Sequence, residues 1–207
     1  IGIIANFKVS EEIHQSLFAL QHRGQDAAGI MTFDGEKLHL RKDMGLVSEV
    51  FDERDIHEGL KGNIGIGHTR YPTIGATMES DVQPFFINVP YTIGMAQNGN
   101  VANYKELKEK LKVKFSRYMT SSCDAELLVH LFANEVISQQ NQKTLKTEEE
   151  IIFDAVKKIL EKVNGANSVV CLLAGKGLLA FRDQYGIRPL IFAKKDGAYA
   201  IASETGA

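Results

Sequence analysis

Residues 1–5 read Ile-Gly-Ile-Ile-Ala, an apolar run of β type at a place where chains are usually frayed and polar. Such a run has to be covered, so the first residues belong in a sheet and the terminus is held. The far end of the sequence has the same character. Strand-like runs fall at Ser168–Ala174, Leu178–Arg182, Pro189–Ala193 and Tyr199–Ser203. Between the two ends lie further strand-like runs at Ile64–His68 and Thr92–Ala96, and a hairpin over Ala27–Lys42 around the Asp34-Gly35 turn signal. The helical patterns are fewer. One starts at Ser10, a candidate cap, and carries Ile13, Leu17 and Leu20 toward Gly24. Three more read as Tyr104–Leu111 behind Asn103, Asp124–Ile137, and Glu148–Val163, the last with a Thr147/Glu150 capping box. The polar segment SQQNQKTLK between the last two is a loop. Strands at both ends with helices between them suit two mainly antiparallel sheets covered by helices, an α+β arrangement.

The 207 residues, 44% of them apolar, suffice for one domain. With 24 basic and 26 acidic residues mixed along the chain, no patch or tail points to nucleic acid or an anionic membrane, and the ligand is expected to be small. Cys123 and Cys171 sit in no paired or metal-like spacing, which suits a reducing compartment, and no metal site is visible. The apolar runs are strand-sized and the start lacks a basic flank, so a cytoplasmic protein without membrane span or signal peptide is expected. Initiator methionine is removed efficiently only before a small residue, so a native terminus at Ile1 is not expected.

Four stretches carry polar chemistry. In QHRGQDAAGI, residues 21–30, polar side chains surround a glycine just before a strand; a helix end with a solvated turn also explains them. In GHTRYPT, residues 67–73, Arg70 offers a planar fork suited to a carboxylate, or an ordinary surface ion pair. In AQNGN, residues 96–100, a glycine between amides could present donors to a developing oxyanion, although Asn-Gly is also a strong turn signal. In SSCDAE, residues 121–126, Asp124 stands at a helix start, where capping alone would account for it.

Taken together and in order, QHRGQDAAGI, GLVSEVF, GIGHTRYPT, QPF, NGN, CDAELLVH and FRDQYGIRPL resemble the glutaminase domain of the amidophosphoribosyltransferase family. These are class II, N-terminal-nucleophile glutamine amidotransferases of purine synthesis. The likeness runs from Gly2 to Glu204, and QHRGQ and GLVSEVF are specific to the purine type. It implies a four-layer α/β/β/α sandwich of two antiparallel sheets, the N-terminal-nucleophile hydrolase fold, over residues 1–207. It implies glutamine as ligand, no cofactor in this domain, and a phosphoribosyltransferase domain or subunit, absent from this chain, as partner in a homo-oligomeric enzyme.

The resemblance also implies roles. Arg70 would hold the α-carboxylate of glutamine, with Tyr71 and Thr73 shaping the pocket, and Asp124 would take the α-ammonium. Asn98 and Gly99 would be oxyanion donors, and Arg23 would order the surroundings of the nucleophile. That nucleophile is a cysteine in the family, and Ile1 stands in its place here. Isoleucine supplies no thiol, so the chain as written is expected not to hydrolyse glutamine by the family route. Gln97 departs as well, standing where the family usually has histidine. Cys123 lacks a terminal amine and is expected to be a small buried residue, and Cys171 to be core. Two other readings fit the same residues: a glutamine-binding regulatory or scaffold module without turnover, and the amidotransferase subunit of a glutamate synthase, against which QHRGQDAAGI argues.

Overall fold

A computed structural model describes residues 1–71, 78–142 and 145–207. The opening run is strand β1 (Gly2–Ala5). It lies between β10 (Ala198–Ala202), where Gly2 faces Ile201, and β4 (Ile64–Arg70), where Gly2 faces Ile66. The hairpin forms as β2 (Ala27–Phe33) and β3 (Leu38–Met44), with the Asp34 carboxylate accepting the Glu36 and Lys37 N–H groups in the turn. With β9 (Ile191–Lys195) these make a six-stranded sheet ordered β3-β2-β4-β1-β10-β9. A second sheet is ordered β5-β6-β7-β8, from β5 (Phe85–Ile87), β6 (Ile93–Val101), β7 (Gly165–Leu173) and β8 (Gly177–Arg182). Every pairing between neighbouring strands is antiparallel.

The period of two sorts side chains into three cores. Ile3 and Ala5 face α1 (Ser10–Ala19) and α2 (Val47–Val50), joining Ile13, Leu17 and Val47. Met31, Ile66, Ala96 and Leu172 fill the space between the sheets. On the outer face of the second sheet, Ile93 and Met95 meet Leu127, Leu128 and Phe132 of α4 (Asp124–Gln140), with α3 (Tyr104–Phe115) and α5 (Glu148–Lys162) alongside. The result is the four-layer order helix, sheet, sheet, helix.

The helices begin close to where the sequence places them, and the Thr147/Glu150 capping box forms. One expectation and two alternative readings fall away. Ser10 does not cap α1: Val9 occupies that position, and the Ser10 hydroxyl donates to the Ile56 carbonyl. The NGN segment is not a turn. Residues 98–100 continue β6 and pair with β7, the Asn98 position facing Ser168. Gly99 is required there, since its φ is +156° and a Cβ would lie 2.0 Å from the Ala166 carbonyl oxygen. Asp124 does not cap α4 either, because Cys123 is the N-cap residue and no side-chain cap bond is made.

Candidate functional site

A cleft of about 1140 Å³ opens where β4 and β6 end and α4 begins, with Arg70, Tyr71, Asn98, Gly99, Cys123 and Asp124 on its walls. A smaller cavity of about 70 Å³ shares Arg23, His68 and Asn98 with the cleft and reaches Ile1. The two adjoin across these shared residues, the cleft as the outer end of the site and the smaller cavity as the inner end. Thr73 lies outside the described residues, and so do residues 143 and 144 of the loop after α4.

The outer end is built on charge. Arg70, the last residue of β4, is 13% exposed in its side chain. Its Nη1 donates to the Asp81 carbonyl oxygen at 3.2 Å and to Cys123 Sγ at 3.1 Å, while Nη2 lies 3.6 Å from Asp81 Oδ2. The Asp124 carboxylate accepts the Val101 N–H at 2.7 Å, tying the start of α4 to the end of β6. Burial pushes the Asp124 carboxyl above the usual carboxylate range, with the Val101 N–H and Arg70 opposing the rise. Burial likewise raises the Cys123 thiol, with Arg70 partly offsetting it. Ser121 and Thr120, just before this turn, are held through both backbone and hydroxyl groups by the Glu126 carboxylate.

The inner end holds two ionisable groups that burial keeps neutral, beside the Arg23–Glu204 ion pair. The N–H of Gly67 donates to the Ile1 carbonyl at 2.8 Å, and the Ile1 nitrogen donates to the Gly67 carbonyl at 2.9 Å. Burial and the nearby Arg23 charge hold the Ile1 amine down to about 5, so it is neutral at pH 7. His68 donates from Nε2 to the Gln97 carbonyl at 3.0 Å; burial first, then the Ile1 amine and Arg70, lower its pKa to about 3. The His68 Nδ1 and Asn98 Nδ2 atoms are buried without a partner among the described residues. Arg23, on a short helical turn after α1, is anchored by Glu204 at 3.1 Å. The turn can sit so close because Gly24 has no side chain: a Cβ there would lie 2.5 Å from the Thr69 backbone.

Gln97, in place of the histidine expected at that position, does keep the segment ordered. Its amide donates to Asn167 Oδ1, and its backbone N–H donates to Gln83 Oε1 at 2.7 Å. Gln83 thus acts as a missing strand residue beside β6, before β5 begins. Cys171 is fully buried in the core, as its setting in an apolar run implies.

A sequence model described as a glutamine amidotransferase domain matches residues 68–207. The chain belongs to this glutamine amidotransferase family. It is 42% identical over 211 residues to the amidophosphoribosyltransferase of Escherichia coli (strain K12), covering 99% of this chain and 41% of that protein. To the amidophosphoribosyltransferase of Schizosaccharomyces pombe it is 40% identical over 199 residues, covering 94% of this chain and 37% of that one. Among solved structures, the glutamine phosphoribosylpyrophosphate amidotransferase of B. subtilis, complexed with ADP and GMP, superposes with a TM-score of 0.80 at 32% identity. That match covers 99% of this chain and 41% of the other. The chain therefore spans about two fifths of the length of these relatives.

Within this glutamine amidotransferase domain, sequence reasoning passed over three polar residues at the site: His68, Asp81 and Gln83. His68 and Gln83 lay inside motifs already singled out, GHTRYPT and QPF, and a buried polar side chain next to a glycine-rich strand end was the available signal. Asp81 had none, because its partners Arg70 and Ser122 are distant in sequence.

Proposed function

We propose that this chain is the glutaminase-type domain of an amidophosphoribosyltransferase, binding glutamine as the ammonia source for phosphoribosylamine formation in purine synthesis. The observation that carries the reading is that Arg70 and Asp124, far apart in sequence, line one cleft together with Asn98 and Gly99. A cation and an anion on one wall match the two ends of an amino-acid zwitterion. Arg70 takes the α-carboxylate and Asp124 the α-ammonium, with Tyr71 beside them. The side-chain amide then extends toward the inner end, where the unpartnered Asn98 Nδ2 and the Gly99 backbone serve as oxyanion donors and Arg23 orders the wall. A phosphoribosyltransferase domain or subunit uses the ammonia, in a cytoplasmic homo-oligomer.

In the family route a residue-1 thiol attacks the amide carbon, the C–N bond breaks, ammonia leaves with the proton passed through the α-amine, and water hydrolyses the thioester to glutamate. Ile1 has the amine and no thiol. This favours a second reading within the same pocket, a glutamine-binding module without turnover. Titration with L-glutamine followed by NMR separates both from a pocket with no such ligand. Arg70→Ala is expected to weaken binding by roughly tenfold to a hundredfold, while exposed Arg182→Ala changes little. Ile1→Cys with a free amine should release ammonia from glutamine. Equal losses from both arginine variants would remove the pocket assignment.

A further inference from the structure

Asp81 does not itself line the cleft, yet it bonds to residues on both arms of the proposed zwitterion clamp. It sits on a short helical turn, Glu79–Asp81, and is 3% exposed. Toward β4 it grips Arg70 twice, with its carbonyl oxygen at 3.2 Å from Nη1 and its Oδ2 at 3.6 Å from Nη2. Toward α4 its Oδ1 accepts the Ser122 N–H at 2.9 Å, and both carboxylate oxygens lie 3.2 Å from the Ser122 hydroxyl. Ser122 is two residues before Asp124.

The donors of Arg70 show what this grip selects. A guanidinium has five N–H groups in a fixed plane, and a carboxylate engages it along one edge at a time. Both Nη1 hydrogens have acceptors, the Asp81 carbonyl and Cys123 Sγ. Asp81 thereby fills the terminal Nη1/Nη2 edge. Nε is buried with no partner among the described residues. The side edge, Nε with the remaining Nη2 hydrogen, is the one left for a ligand.

We infer that Asp81 is a positioning residue for amino-acid binding: it turns the Nε edge of Arg70 to the ligand carboxylate and couples that edge to the turn carrying Asp124. This rests on the proposed glutamine site and adds a residue and an edge to it. A buried anion beside Arg70 could act in the opposite sense, by competing with the ligand carboxylate, so the direction of the effect decides between the two roles. A competitor, once removed, leaves tighter binding of carboxylates. A positioner leaves weaker binding.

The test titrates the wild-type chain, Asp81→Asn and Asp81→Glu with three probes: L-glutamine; glutaramate, which lacks the α-amine; and 4-aminobutanamide, which lacks the α-carboxylate. Asp81→Asn is expected to weaken the two carboxylate probes roughly tenfold while 4-aminobutanamide shifts by less than about twofold, and Asp81→Glu to recover most of the loss. In ¹⁵N-labelled wild type, which needs no substitution to fold, the Arg70 Nε–H signal should move with the carboxylate probes and stay with 4-aminobutanamide. Unchanged or tighter carboxylate binding in Asp81→Asn, equal losses for all three probes, or a stationary Nε–H signal under bound glutamine would overturn the inference and leave the glutamine site standing. A wild-type chain that binds none of the three overturns the site and the inference together.

Discussion

The two ends of the cleft solve the problem of burying polar groups in opposite ways. At the outer end Arg70, Asp81, Ser122 and Cys123 bond one another across β4, a short turn and the start of α4, so charge is answered by charge, with Arg70 Nε left unpartnered among the described residues. At the inner end the Ile1 amine and His68 are stripped of charge by burial, and His68 Nδ1 and Asn98 Nδ2 keep unspent hydrogen-bonding capacity. The difference teaches where a ligand gains most. In the proposed glutamine site the outer end is a charged clamp for the two ends of the zwitterion, while the inner end offers one free donor, Asn98 Nδ2, that gains a partner when the substrate amide arrives.

Gly99 follows Asn98, which lines both ends, and replacing it is the hardest test of their rigidity. Gly99→Ala puts a methyl group against the Ala166 carbonyl at positive φ. It should cost about 3 kcal/mol or more in urea unfolding. A tolerated alanine would mean that the NGN strand yields, and the picture of a fixed inner wall would fail.

The neutral inner end should also make the fold acid-sensitive. His68 has a folded pKa near 3, below the ordinary value of 6.5, so the unfolded chain binds the proton more readily between those values. Stability is then fully present above pH 6.5 and falls as pH drops toward 3, by up to about 1.4 kcal/mol per pH unit from this group. Denaturation of wild type and His68→Gln at pH 6.5 and pH 4.5 should converge as the pH falls. Parallel curves would show that His68 is charged or solvated after all.

The smallest effect belongs to the outer end. Burial raises the Asp124 carboxyl in the folded state, so ionisation there costs stability above the ordinary carboxylate range and costs nothing once both states are protonated. Asp124→Asn, which keeps an acceptor for the Val101 N–H, should stabilise the fold at pH 7 by less than about 1 kcal/mol, because nearby solvent screens the charge. The gain should fade as pH falls below about 4. A variant that is less stable at pH 7 would place Asp124 among the stabilising residues.

Strand and helix order was legible because periodicity and turn chemistry are local: the Asp34-Gly35 hairpin and the Thr147 cap formed where those signals lie. Ser10 and Asp124 misled for one reason. A cap-type residue at a helix start was read as a cap, yet both side chains found partners far away, at Ile56 and Val101. A turn was the alternative reading of NGN because Asn-Gly is a local signal, and pairing with β7 excludes it. Asp81 and Gln83 were hidden because each completes something built elsewhere, a buried arginine and an unpaired strand edge.

The place of β1 has a consequence for how the molecule comes together. Gly2 pairs with Ile201, and Arg23 is anchored by Glu204, so the inner wall is sealed by residues from opposite ends of the chain. Closing so long a loop carries an entropic cost that local hairpins and helices avoid, and high contact order slows folding. During synthesis the β2–β3 hairpin and α4 can form as soon as they emerge, but β1 has no partner on its β10 side until about residue 200 is made. Until then that backbone edge is unpaired and open to chaperones and to other nascent chains. β1 is thus fully paired only once both β4 and β10 are in place.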